Sequence, residues 1–163
     1  MGSQHLKGNR FLGVSAVQTQ YAALCWRPAE AGHEILLITS RDTGRWIIPK
    51  GWPIRGLAPE AVAAQEAWDE AGVKGEVSSV QVGRYGYFKI FEPATQIACA
   101  VVVYDLQVRH LTPSFPEAGE RQLAWLCPRQ AAERVAEPDL ASLITHYAPP
   151  LRPVRHAPIT GDT

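Results

Sequence analysis

Three carboxylates lie close together along one predicted helix and can bind a divalent cation. Glu66 and Glu70 are four residues apart and Asp69 lies three after Glu66, so a helix places all three on one face. Like charges at this spacing repel, and no Lys or Arg lies within residues 59–71 to offset them. Because oxygen ligands favour hard cations, the cluster predicts a Mg²⁺ or Mn²⁺ site. The alternative is a solvated acidic face, the more common explanation for such a cluster taken alone.

Positive side chains and a glycine lie directly before this helix. Arg41, Arg45 and Lys50 flank a glycine-containing loop, and Gly51 follows Lys50. Carboxylates that hold a metal, beside cations that hold phosphate oxygens, are the combination that phosphoryl chemistry requires. For each Arg alone the alternative is a surface ion pair with an acid such as Asp42. The set of three favours phosphate binding.

The helix itself is predicted over Pro59–Ala71. Pro59 suits the first helical position, Glu60 favours the positive end of the helix dipole, and Gly72 suits a left-handed C-cap. Four alanines form a small-residue face that lets the helix lie close against a sheet.

Strands make up most of the rest of the chain. Two short helical segments follow them near the carboxyl end, an order that predicts an α/β fold with helices on a mixed sheet. Residues 50–58 hold two glycines and a proline and are predicted to be a loop. The predicted strands are Tyr21–Trp26, Glu34–Ser40, Trp46–Pro49, Glu76–Lys89, Gln96–Arg109 and Gln122–Cys127, and the helical segments are Arg129–Val135 and Pro138–Tyr147.

Length and charge restrict the classes of function. A chain of 163 residues suits one domain, which we place at residues 11–147, between a flexible N-terminus (1–10) and a Pro-rich flexible tail (148–163). Sixteen Lys and Arg balance sixteen Asp and Glu, which argues against general nucleic-acid or anionic-membrane binding. The apolar stretches are strand-sized and the first ten residues are polar, so we expect neither a membrane span nor a signal peptide. These features predict a cytoplasmic protein.

The segment from Gly51 to Gly72 resembles the signature of the Nudix hydrolase family. That signature runs Gly, five residues, Glu, seven residues, then Arg-Glu-hydrophobic-x-Glu-Glu-x-Gly-hydrophobic. Glu66 and Glu70 match it, and Asp69 is a conservative replacement for the first of the paired glutamates. Ala67, Gly72 and Val73 match as well.

Two positions depart from the signature. Leu57 stands where the first Glu is expected, and Gln65 stands where the Arg is expected. In the family that Arg helps to orient the neighbouring acids by a charge-assisted bond, and that Glu is its usual partner. Because both members of the pair are absent, neither is left unpaired. We interpret the two as a coupled structural change compatible with activity; the alternative is weakened or lost activity.

The resemblance extends over roughly residues 18 to 145. The similarity is to the diphosphoinositol polyphosphate phosphohydrolase and dinucleoside polyphosphate hydrolase branch. The similar segments are Tyr21–Arg27, Ile35–Trp46, Pro49–Gly51, Glu70–Gly75, and the region around Arg121 and Ala124–Leu126.

The resemblance implies an α/β/α sandwich around a mixed sheet. It also implies a monomer or homodimer that hydrolyses a phosphoanhydride in a small phosphorylated substrate, with Mg²⁺ or Mn²⁺. Dinucleoside polyphosphates or inositol pyrophosphates are favoured, ahead of nucleoside triphosphates and capped RNA ends. One alternative is a nucleotide- or polyphosphate-binding regulatory module with weakened catalysis. Another is a structural domain whose helix merely carries surface acids.

The family also implies roles for individual residues. Glu66 and Glu70 would bind the metal, with Asp69 and the Gly51 carbonyl as further ligands. Glu66 is the first candidate for the catalytic base. Glu117 or Glu120, in the loop before the last strand, is the second. The polyphosphate would be held by Ser40, Arg41, Arg45 and Lys50.

Overall fold

Seven strands and three helices form in residues 16–91 and 95–150, the part of the chain that the computed structural model describes. The predicted flexible ends, residues 1–10 and 148–163, lie outside this part apart from residues 148–150. The strands are β1 Gln18–Ala29, β2 Gly32–Thr39, β3 Trp46–Ile47, β4 Lys50–Gly51, β5 Val73–Phe91, β6 Thr95–Leu111 and β7 Leu123–Leu126. The helices are α1 Pro59–Ala71, α2 Pro128–Arg134 and α3 Pro138–His146.

One mixed sheet connects all seven strands. Its main order is β3-β2-β1-β6-β5, with β4 paired to β1 and β7 paired to β2. Strands β1 and β6 run parallel, with Gln18 opposite Cys99 and Trp26 opposite Gln107. The remaining pairs are antiparallel. The mixed sheet predicted from the sequence is therefore confirmed.

Helices cover both faces of the sheet. Alternate residues of a strand point to opposite faces, so β1 contributes Leu24 to one core cluster and Cys25 to the other. The first cluster includes Leu140 and Ile144 of α3, whereas the second includes the small side chains Ala63, Ala67 and Ala71 of α1. Two helical layers with a sheet between them form the α/β/α sandwich that the resemblance implies.

Helix α1 has the predicted limits. Pro59 opens it and Gly72 closes it with a φ of 68°, in the left-handed region. A Cβ at position 72 would overlap both the Phe115 ring and the Thr112 carbonyl oxygen, so glycine is required by contact as well as by conformation. The backbone N–H of Thr112 donates to the Gly72 carbonyl at 2.9 Å, which places the segment after β6 beside the end of α1.

The boundaries of the strands differ more from prediction. Strands β5 and β6 extend to Val73–Phe91 and Thr95–Leu111, because their antiparallel pairing continues beyond the alternating apolar pattern. Lys50–Gly51 was predicted as loop and is instead β4, paired with β1 opposite Ala22 and Tyr21. The surrounding Gly and Pro residues are typical of a loop, and the pairing of these two residues with β1 depends on the tertiary structure.

In the described ranges, none of the helices has both the length and the apolar composition needed to cross a membrane.

Candidate active site

A close approach between β4 and α1 forms the centre of the site. Gly51 is buried, and a Cβ built on it would overlap the carboxyl group of Glu66 and lie 2.8 Å from its Cγ. Real Cβ atoms do not approach so closely, so with any other residue at position 51 the Glu66 side chain would have to shift away from this position. The backbone of residue 51 thereby lies directly against an acid of the helix.

We expect Gly51→Ala to lower, by about tenfold, the rate of the phosphoanhydride hydrolysis that the family resemblance implies, because the added methyl group displaces the Glu66 carboxyl group. Turnover and thermal unfolding measured together check this. Gly86→Ala is the matched control, since its Cβ would meet the Cys99 carbonyl oxygen at an ordinary 3.6 Å. Equal turnover in the two variants would contradict the role of the close approach.

Glu70 is a buried acid with one oxygen unsatisfied. The residue is 6% exposed; its Oε1 lies 3.5 Å from Nη2 of Arg121, and its Oε2 has no hydrogen-bond partner. Burial raises the pKa of Glu70 to about 8, against the opposing effect of the Arg121 guanidinium and with a further increase from the charge of Glu66. A cation bound at Oε2 would offset both the cost of burying the ionised carboxylate and its repulsion by Glu66.

Glu66 is the second acid at the centre. Burial raises its pKa, and the charges of Asp69 and Glu117 raise it further. A hydrogen bond with Glu70 and the charge of Arg121 act in the opposite direction and lower this pKa.

These groups line a cavity of about 360 Å³. Of the residues predicted to act, seven lie on its wall. They are Ser40, Arg41, Lys50, Gly51, Glu66, Glu70 and Glu117. The wall is completed by Gln20, Asp42, Ile47, Trp52, Pro53, Ile54, Lys89 and Arg121.

Two of the four cations that the described residues place on the wall, Arg41 and Lys50, are held differently. Arg41 is half-exposed, with Nη1 2.9 Å from Glu117 Oε1 and 3.5 Å from Glu120 Oε2. The ammonium group of Lys50 lies over the ring of Tyr87, 4.8 Å from its centroid. Burial lowers the pKa of Lys50, whereas the charge of Glu70 raises it. Arg41 thus lies beside Glu117 and Glu120, and Lys50 lies close enough to Glu70 to be affected by its charge.

Three predicted residues do not line the cavity. Arg45 pairs with Glu137, Nη1 to Oε1 at 2.8 Å, and Asp69 accepts a hydrogen bond from Gln65 Nε2 at 2.9 Å. Glu120 contacts the site through Arg41 Nη1 and through its backbone N–H, which donates to the Glu117 carbonyl at 3.1 Å. The predicted roles of Arg45, Asp69 and Glu120 remain predictions.

Among the wall residues to which the sequence analysis assigns no role are three polar ones: Arg121, Gln20 and Lys89. Gln20 lies in a strand and is 3% exposed, and its Oε1 accepts the hydroxyl proton of Tyr87 at 2.6 Å. Two signals pointed to Arg121: its place two residues before an apolar strand, and its position in a segment that resembles the family branch. Nothing local in the sequence shows that this side chain is buried.

The donor atoms present suit Mg²⁺ or Mn²⁺. No three His, Cys, Asp or Glu side chains within residues 16–91 and 95–150 form a group that could hold a metal ion. Mg²⁺, however, commonly takes one or two protein carboxylates and completes its shell with water and substrate phosphate. Glu66, Glu70 with its unpartnered Oε2, and the adjacent backbone of Gly51 provide such a set.

Comparison with known proteins gives a family match over most of the chain. The model described as "NUDIX domain" matches residues 18–147. Human diphosphoinositol polyphosphate phosphohydrolase 3-alpha is 38% identical over 97 residues, which are 60% of this chain and 55% of that protein. The chain thus spans little more than half the length of this curated relative.

Solved structures share the fold. An Ap4A hydrolase of C. elegans aligns with a TM-score of 0.56 and 16% identity, over 78% of this chain and 93% of that one. The dihydroneopterin triphosphate pyrophosphohydrolase of E. coli aligns with a TM-score of 0.62 and 14% identity, over 81% and 97%. At these identities the likeness establishes the architecture.

Proposed function

The chain belongs to the Nudix family, and from this premise we propose that it hydrolyses a phosphoanhydride bond in a nucleoside diphosphate-linked or polyphosphate substrate. One observation carries the proposal: Glu66 and the unsatisfied oxygen of Glu70 share a cavity with Arg41 and Lys50. Two acids suited to a divalent ion thereby face two cations suited to phosphate oxygens.

The acidic groups would bind the metal, and the cations would bind the phosphates. Glu66, Glu70 and the Gly51 carbonyl would hold Mg²⁺ or Mn²⁺, which supplies charge neutralisation and a more acidic water molecule. Arg41 and Lys50 bind the phosphate chain and fix its orientation. An incoming phosphate competes with Glu117 for the Arg41 guanidinium, so substrate binding releases part of that ion pair.

Glu66 is our candidate for the catalytic base. It lies on the cavity wall beside Gly51, and burial and the neighbouring acids raise its pKa in the metal-free site. Glu117 also lies on the wall, but its Oε1 is engaged by Arg41 and by Arg121. Its engagement by two guanidinium groups makes it the second candidate.

Dinucleoside polyphosphates are the substrates we favour. Trp52 lines the cavity and is 38% exposed, so its ring is available to stack on a nucleobase. Lys89 extends the positive wall beyond Lys50 and suits a chain of several phosphates. The human relative is named a diphosphoinositol polyphosphate phosphohydrolase, and the C. elegans neighbour is named an Ap4A hydrolase. Both names support a substrate that carries a chain of phosphates.

A binding module with weakened catalysis is the second candidate. Leu57 and Gln65 favour it, because the chain lacks the Glu and Arg that these positions hold in the family signature. Such a protein would bind the same ligands without turning them over.

Release of phosphate and nucleotide from a panel of polyphosphates tests the proposal. We expect product with Mg²⁺ or Mn²⁺, none with excess chelator, and the fastest release from dinucleoside polyphosphates. The panel includes inositol pyrophosphates, nucleoside triphosphates and capped RNA. Tight binding by calorimetry without product from any substrate would instead support the binding module. If the protein neither binds nor hydrolyses any compound of the panel, both proposals are contradicted.

A further inference from the structure

A buried guanidinium group connects three parts of the site. The side chain of Arg121 is 6% exposed. Its Nη1 donates to the Thr39 carbonyl oxygen at 3.0 Å, and its Nη2 lies 3.3 Å from Glu117 Oε1 and 3.5 Å from Glu70 Oε1. One side chain therefore contacts the end of β2, the segment before β7 and helix α1.

Backbone contacts hold the same three parts in register. The N–H of Glu117 donates to the Asp69 carbonyl at 3.0 Å, and Thr39 and Gln122 exchange hydrogen bonds of 3.0 and 2.9 Å. These bonds fix where the chain passes Arg121. They do not fix where the carboxyl groups of Glu70 and Glu117 point, because those are set by the side-chain contacts.

Helix α1 supplies no counter-charge of its own. Position 65, where the family signature has Arg, is an exposed Gln that bonds to Asp69 and not to Glu70. Leu57 is exposed as well. The Arg121 guanidinium lowers the pKa of both Glu66 and Glu70, so its charge reaches both central acids.

Arg121 is unlike the other cations of the cavity wall. Arg41 is half-exposed, and Lys50 contacts an aromatic ring. Arg121 has both terminal nitrogens committed to protein oxygens, which leaves little freedom to follow a ligand. A fork with fixed geometry suits orienting carboxylates better than a mobile ammonium does.

We propose that Arg121 is a positioning residue that holds Glu70 and Glu117 in their working orientation, in place of the charge that the signature carries at position 65. The inference rests on the proposed function, since Glu70 acts there on metal and phosphate. In this role Arg121 acts through the two carboxylates, since both of its terminal nitrogens already contact protein oxygens.

Steady-state kinetics separate positioning from binding. We expect Arg121→Gln to lower kcat about a hundredfold with KM within about threefold of the original, because misplacement of a reacting group affects the chemical step. Arg121→Lys, which keeps the charge but loses the fork, should recover about tenfold of that loss. Arg109→Gln is the matched control: this exposed Arg contacts Glu76 at 3.4 Å outside the cavity, and its loss should leave both constants unchanged.

Thermal unfolding gives a readout that needs no turnover. Without metal, Arg121→Gln should unfold at a Tm below that of the parent protein, because the acids lose their counter-charge. Saturating Mn²⁺ should close at least about half of this gap, since the ion replaces the missing positive charge. A purely structural role predicts the same gap with and without Mn²⁺. If Arg121→Gln does not fold without metal, the kcat and KM of Arg121→Lys, which keeps the charge but loses the fork, decide between positioning and a structural role.

Three outcomes would overturn the inference: kinetics equal to those of Arg109→Gln, a raised KM with unchanged kcat, or a Tm gap that Mn²⁺ does not alter. The second would make Arg121 a substrate contact. Absence of turnover in the parent protein would instead contradict the proposed function, and the Mn²⁺ comparison would still decide the role of Arg121.

Discussion

Glu70→Gln is expected to reduce metal-dependent turnover by about a thousandfold, because the reaction loses several kcal/mol of charge stabilisation at the metal. The amide has the volume of the acid, so the α1 packing is retained, but it removes the negative charge and the second acceptor oxygen. The unpartnered Oε2 of Glu70 is the atom on which this expectation depends. Product release with Mg²⁺ and with Mn²⁺ measures the effect.

Glu60→Gln is the control on the same helix. Glu60 lies in the first turn of α1 and does not line the cavity, so its loss should cost only a few tenths of a kcal/mol at the helix dipole. Turnover of Glu70→Gln within about threefold of Glu60→Gln would remove Glu70 from the mechanism. That result would support the interpretation of α1 as a helix with a solvated acidic face.

Local rules predicted the helix and its acids. Proline at the first helical position and glycine at the C-cap define α1, and the four-residue spacing of Glu66 and Glu70 follows from helical geometry. The alanines of α1 predicted a close contact with the sheet, and they lie in the core against β1 and β2. These features depend on neighbours along the chain, so the sequence is sufficient to find them.

Partners distant in sequence could not be predicted in this way. Arg45 resembles a phosphate ligand in its own segment, yet its partner Glu137 is 92 residues away, at the start of α3. Arg121 likewise contacts Thr39, 82 residues before it. Which charge meets which acid is decided by the order of strands in the sheet, and the sequence pattern gives the strands without their order.

The structure explains why the chain tolerates Leu57 and Gln65, the two departures from the signature. Leu57 and Gln65 are both exposed, and Gln65 satisfies Asp69 with a neutral hydrogen bond of 2.9 Å. Neither position leaves a buried charge without a partner, so the loss of the pair carries no large desolvation cost. The positive charge beside the acids comes from Arg121 instead, whose Nη2 lies 3.5 Å from Glu70 Oε1.

The stability of the metal-free protein should fall as pH rises from 5 to 8, and Glu70→Gln should remove much of this fall. The pKa of Glu70 is about 8 in the folded chain against 4.5 for the ordinary group. Between these values the unfolded chain releases a proton that the folded chain keeps, so ionisation favours unfolding increasingly as pH rises. Below pH 4.5 both states are protonated and the effect vanishes.

The expected difference is on the order of a few kcal/mol at pH 8, since each unit between the folded and unfolded pKa corresponds to about 1.4 kcal/mol and the folded value already includes the opposing charges of Arg121 and Lys50. Urea unfolding of both proteins in chelator, at pH 5 and pH 8, measures it. Glu70→Gln should be more stable than the parent at pH 8 and nearly equal at pH 5.

Saturating Mn²⁺ should reverse the order at pH 8, because the ion binds the ionised carboxylate of the parent and not the amide. One substitution would then stabilise the empty site and abolish the reaction, which is the behaviour of a residue kept for chemistry at the expense of stability. Equal pH slopes in the two proteins would instead place the proton on another group, with Glu66 the next acid to replace, since burial raises its pKa as well.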